Sequence, residues 1–183
     1  PFEIGAKPLG EWFAREDALQ ILMSQAESSR RLDAGGDATS QRWEVTTPIQ
    51  FPGMVARSAT SMDIDIDQAA PRLSICSGES NTVCEGGPPW AQGLLSRIGE
   101  IAQTTSSNVV EARSVQAATG QQTCIVSTVD LRVKLNIPTL LLPPFIPAGP
   151  FEKAGSNSIQ KLLDKDMGPV LAAFCEGYCA WAE

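Results

Sequence analysis

The run IQKLLDKDMGPVLAAFCEGYCAW, residues 159–181, decides how the rest of the chain is read. Its apolar members Ile159, Leu162, Leu163, Met167, Val170, Leu171, Phe174, Tyr178 and Trp181 recur every three or four positions. That period places them on one side of an α-helix, about 35 Å long at 1.5 Å per residue. Gly168-Pro169 falls inside the stripe. Proline removes one backbone hydrogen bond and crowds the preceding turn, so a kink or short break is expected there, not the end of the helix. A helix with one long apolar side needs a surface to cover.

Upstream residues supply that surface. Between Thr123 and Ile137, the apolar Val129, Leu131, Val133, Leu135 and Ile137 alternate with Asp130, Arg132, Lys134 and Asn136, the pattern of a strand with one wet face. With Val109–Ala117 it flanks Thr119-Gly120-Gln121, which predicts a hairpin. At roughly 3.3 Å per residue the second arm reaches about 50 Å, a length that favours curling around the helix. Met54–Asp67 ends in strict alternation, with Met62, Ile64 and Ile66 against Asp63, Asp65 and Asp67. Gln41–Phe51 reads as a strand that Pro48 confines to an edge or a bend. Leu73–Ser77 reads as a shorter strand and Phe2–Lys7 as a first strand ended by Pro8. Glu11–Met23 has the spacing of an amphipathic helix. Ser28–Ser40, polar and holding Gly35-Gly36, reads as a loop. After the break at Gly86-Gly87-Pro88-Pro89, Trp90–Ile101 reads as a short helix. The expectation is one α+β domain over residues 1–183, a curved antiparallel sheet with the long C-terminal helix in its concave face.

Composition narrows the functional classes. At 183 residues, 43% hydrophobic and 19% charged, the chain has the make-up of one globular domain. Its net charge is −7, with 14 basic residues scattered among 21 acidic ones. No basic stripe is available to neutralise phosphates, which argues against nucleic acid. An acidic domain suits a basic protein surface, although solubility alone also accounts for the charge. The absence of histidine removes the Ser-His-Asp and Cys-His arrangements and the His-bearing zinc and haem sites. Cys76, Cys84, Cys124, Cys175 and Cys179 are odd in number and irregular in spacing. They read as reduced, small buried hydrophobes in a reducing compartment. The chain starts at Pro1 without an initiator methionine, as a processed or trimmed protein would. Its most apolar stretch, Leu135–Phe151, holds Pro138, Pro143, Pro144, Pro147 and Pro150, which forbid a transmembrane helix.

Chemical motifs are scarce. Asp63-x-Asp65-x-Asp67 opens like a calcium loop, yet Gln68 stands where glycine is required and Ser74 where a bidentate glutamate is required. Glycine-rich phosphate loops and a G-x-S-x-G elbow do not occur. We therefore expect no enzyme, no metal and no cofactor. The segment Leu140, Leu141, Leu142, Pro143, Pro144, Phe145, Ile146, Pro147 has two readings. One is a covered connection from the last strand to the terminal helix. The other is a stiff apolar docking element, joined by Trp90, in which proline lowers the entropy lost on binding.

The order of short strand, helix, antiparallel strands and terminal helix resembles the helix-grip, or START-like, fold. The residues LRVKLNIP (131–138), Ala154-Gly155, Leu162-Leu163 and Tyr178-x-x-Trp181-Ala182 resemble an uncharacterised family of cyanobacteria and plastids. That resemblance covers roughly Leu131–Ala182 and rests mainly on packing residues. It implies a chloroplast protein on the stromal face of the thylakoid membrane, peripheral to it, similar to the accessory subunits of algal photosystem I. Such a protein would be a non-catalytic accessory or assembly subunit whose partners are subunits of a membrane photosynthetic complex. The alternative is a carrier of a small hydrophobic molecule, lipid or pigment, held between sheet and terminal helix.

Overall fold

The structure, a computed structural model, describes residues 2–33, 36–51, 54–86, 102–117, 120–135 and 148–183. Within them the elements run α1 (Leu9–Phe13), α2 (Glu16–Leu22), β1 (Ser28–Arg31), β2 (Ser40–Phe51), β3 (Met54–Asp67), β4 (Arg72–Gly86), β5 (Ala102–Ala117), β6 (Gly120–Leu135) and α3 (Ala148–Ala182). The strands form one antiparallel sheet in the order β1-β2-β3-β4-β5-β6, each beside its neighbour in sequence. The α+β class and the terminal helix agree with the sequence reading.

Side-chain alternation sorts the two faces. Trp43, Val45, Ile64, Ile66, Leu73 and Val110 are buried on the inner face, and Ile64 and Ile66 alternate with exposed Asp65 and Asp67. The register carries this pattern across the sheet, with Trp43 opposite Met62, Ile66 opposite Leu73, and Leu73 opposite Val110. The three helices cover that inner face and add Leu9, Trp12, Phe13, Ala18, Leu19, Phe174 and Tyr178 to a single core.

Four local readings are corrected. Phe2–Lys7 is not a strand; it makes one bridge, in which Phe2 and Thr123 exchange N–H···O bonds of 2.8 and 3.0 Å. Glu11–Met23 is not one helix but two, parted at Arg15, whose ψ of 141° is extended. Trp12, Phe13, Ala18 and Leu19 are all buried, yet on one helix they would span about 220° of its circumference at 100° per residue. The break turns both pairs toward the sheet. The polar stretch 28–40 contributes β1, which is only four residues long and pairs with Trp43–Thr46. β4 extends well beyond Leu73–Ser77, to Gly86.

Pro48 sits inside β2, opposite Arg57 of β3, but past the last residue that β1 pairs. Its missing N–H therefore faces an unpaired edge, as the edge-or-bend reading required. β4 pairs with β5 only over Arg72–Cys76, whereas β4 goes on with β3 and β5 starts earlier with β6. Past Cys76 the described sheet continues as two ribbons, β2-β3-β4 and β5-β6. The parting follows a register shift between Thr60 and Met62 on β3.

α3 has 35 residues, about 52 Å. It begins before Ile159 and passes through Gly168-Pro169 as one helix; of the kink or short break expected there, the break does not occur, and the helix does not end at the proline, as expected. Both residues are exposed, and the proline's lost bond is on the solvent side. Among the α3 residues whose side chains are described, those buried are Val170, Phe174, Tyr178 and Ala182, four apart. Its earlier turns lie beside β6. The proposed helix Trp90–Ile101 and the segment 140–147 lie outside the described residues. Among those described, no helix is long and apolar enough to cross a membrane.

α1 presses on the β3–β4 turn so closely that a Cβ at Gly10 would stand 1.9 Å from the Gln68 carbonyl oxygen. The obstacle is backbone and cannot rotate away. Gly10→Ala is expected to lower stability by about 2 kcal/mol or more, read as a fall in the denaturant midpoint with an unchanged slope.

Candidate functional site

Alternation along β6 puts Ser127 and Val129 on the inner face, because Ser127 pairs with buried Val110 and Val129 with Asn108. Facing them on α3 are Gln160, Leu163, Asp164, Met167 and Leu171, spaced to share one side of the helix. These residues line a cleft of about 310 Å³ between strand and helix. Its polar groups are engaged with one another or with the sheet. Gln160 Nε2 donates to Asp164 Oδ1 at 2.8 Å, and Ser127 Oγ donates to Asn108 Oδ1 at 2.7 Å. Leu163, Met167, Leu171 and Val129 supply the apolar wall.

A second recess, of about 360 Å³, opens on the outer face among Thr39, Ser40, Asp65, Ile66, Asp67, Arg72 and Ser74. Here the three aspartates of the calcium-like motif each have a separate partner. Arg42 Nε donates to Asp63 at 2.7 Å, and Ser40 Oγ donates to Asp65 at 3.1 Å. Asp67 Oδ1 accepts the N–H groups of Ala69 and Ala70, fastening the turn into β4. Their carboxylates stabilise strand pairing and a turn.

The outer face also carries ion pairs: Arg30–Glu44, Arg42–Asp63, Arg57 with Glu27 and Glu85, and Arg132–Asp130. Arg42 beside Asp63 and Arg132 beside Asp130 hold those carboxyls below the ordinary aspartate value. The same pairing raises both guanidinium groups. A general acid at neutral pH needs the opposite shift, a carboxyl pushed up by burial.

The cysteines depart from the sequence reading. Cys76 and Cys179 are exposed, not buried, and Cys124 and Cys175 are half-buried; these four are free thiols. Burial pushes the Cys175 thiol up, away from a reactive thiolate. Trp12 and Trp43 are core residues. Trp181 packs on Trp12 with ring centroids 5.9 Å apart, under Lys7 at 4.9 Å and Arg15 at 5.5 Å. Leu140, Leu141, Leu142, Pro143, Pro144, Phe145, Ile146, Pro147 and Trp90 all lie outside the described residues. The cleft was not foreseen residue by residue. Leu163, Met167 and Leu171 stood in the apolar stripe, but nothing near Ser127 marked it as their counterpart.

Comparison of the chain with protein-family models, with curated proteins and with solved structures finds no match to any of them.

The lowered Asp63 gives a pH signature. A carboxyl whose folded value is depressed adds stability above the unfolded value of 3.8 and loses it as pH falls through the folded value. The Tm difference between wild type and Asp63→Asn should be small but constant above about pH 5. It should shrink toward zero below 3.8, in melts run at low salt.

Proposed function

We propose that the protein is a non-catalytic accessory or assembly subunit bound peripherally to a thylakoid photosynthetic complex, on the stromal side of photosystem I in a chloroplast. The observation that carries the non-catalytic part is the state of its carboxylates. Among the described residues, the carboxylates with displaced pKa values, Asp33, Asp37, Asp63 and Asp130, are all lowered by hydrogen bonds at the surface. Such groups suit recognition by charge and shape more than proton transfer. The resemblance of residues 131–182 supports the compartment and the partner. A START-like arrangement of the terminal helix belongs to the same proposal, and a helix lying on one face of an antiparallel sheet supports it. The docking element is Leu140–Pro147 together with Trp90.

Gradient fractionation of solubilised thylakoids tests this reading. The protein should sediment with photosystem I, and Phe145→Ser should release it without lowering its Tm. Recovery of the wild type solely in free stroma overturns the proposal.

The cleft between β6 and α3 favours one alternative, a carrier of a small hydrophobic molecule. That reading expects a stoichiometric lipid or pigment in an organic extract of the purified protein, lost on Met167→Trp, which fills the cleft. An extract without such a molecule removes it.

A further inference from the structure

β6 ends the described sheet on the side opposite β1, and along that edge its described partner is a single residue, Phe2. Because Thr123 exchanges both backbone bonds with Phe2, its N–H and C=O point to the free edge. Backbone direction alternates along a strand. Hence the N–H and C=O groups of residues 125, 127, 129, 131, 133 and 135 point the same way. This is a long strand edge of the kind that proteins cover or pair.

We propose that this edge pairs antiparallel with the same edge of a second copy of the chain, joining two sheets into one of twelve strands. The proposal stands apart from the functional reading above. Charge selects both the occupant and the register. The side chains of Asp130, Thr128, Arg132 and Lys134 are exposed on the outer face, Arg132 by 78% and Asp130 by 57%. A two-fold axis through Leu131 sets Leu131 against its own copy and Val129 against Val133 of the second copy. In that register Asp130 stands opposite Arg132 of the second copy, and Arg132 opposite its Asp130, giving two opposite-charge pairs by symmetry. Centring on Asp130 opposes two aspartates, and centring on Arg132 opposes two arginines between two Asp130–Lys134 pairs, a poorer balance than two opposite-charge pairs alone. Centring on Val133 sets Arg132 against Lys134. Like charges directly opposite destabilise a strand pair, and opposite charges stabilise it. The Leu131 register also pairs residues whose backbone groups face the edge, so about ten main-chain hydrogen bonds form over residues 127–135. The two bonds that Arg132 now donates to Asp130, 3.1 Å from Nε and 2.7 Å from Nη2, are between exposed neighbours and exchange for the cross-copy pair at little cost.

Light scattering behind size exclusion, on the full chain over a concentration series at low salt, tests the proposal. The wild type should reach about 39 kDa, twice its 19.5 kDa. Asp130→Arg and Arg132→Asp should each weaken dimerisation about tenfold or more, with unchanged circular dichroism. The double exchange Asp130→Arg/Arg132→Asp should restore it, since each new charge again faces its opposite. Amide exchange gives a second reading that no substitution perturbs: protection at residues 129, 131 and 133 should rise with protein concentration. A wild type that stays at 19.5 kDa overturns the proposal and leaves the three charges as blunting of a lone edge. A dimer indifferent to the single substitutions, unrescued by the double one, or without concentration-dependent protection overturns it equally.

Discussion

Three residues at the end of α3 hold the molecule together: Phe174, Tyr178 and Ala182, one per turn, all buried in the core, with Val170 buried one turn before them. Phe174 meets Phe13 edge-on at 5.2 Å and Trp12 at 5.8 Å, the geometry that aromatic quadrupoles favour. Gly177 lets the helices come this near, because a Cβ there would lie 2.9 Å from the Trp12 ring and 3.0 Å from Ile21. Tyr178 reaches further. Its hydroxyl donates to the Lys7 carbonyl at 2.9 Å and accepts from Gly5 N–H at 3.0 Å, while its ring packs on Phe2. The end of the chain therefore fixes the beginning, and Phe2 in turn bridges to β6.

The sheet is built for two environments. Its inner face hides aromatic and branched residues under the helices, and among the described residues Gln41 and Thr123 are buried polar insertions. Gln41 is buried, donates to the Ala38 carbonyl and accepts from Trp43 Nε1, so its amide is satisfied at both ends. The outer face is laddered with exposed ion pairs, each worth little to stability on its own. What such a ladder sets is charge pattern, and charge pattern governs which surfaces approach and in what register.

That division bears on what the protein can do. The inner apolar area is consumed by the core near Val170–Ala182, but α3 continues N-terminally past it and leaves a cleft against β6. The paired ladder ends at β6, whose charges alternate in sign from Asp130 to Arg132. Cleft and edge are thus products of one mismatch: helix and strand both run further than the packed core they share.

The sequence by itself determined the type of the elements that carry a long periodic pattern, because helix and strand periods are local. The three-to-four spacing of 159–181 and the alternation of 62–67 follow from geometry within each segment, and both agree with the structure. It also showed Pro48 to be tolerable only at an unpaired position. Other features were illegible for a shared reason: they depend on partners distant in the chain. The break at Arg15 exists because Trp12, Phe13, Ala18 and Leu19 must all face the same sheet. β1, a polar SSRR tetrapeptide, is a strand only because β2 offers it a ladder. Ser127 lines a cleft because its register with Val110 turns it toward α3. Local sequence sets which way a side chain points along its own element, and only tertiary packing decides what stands opposite.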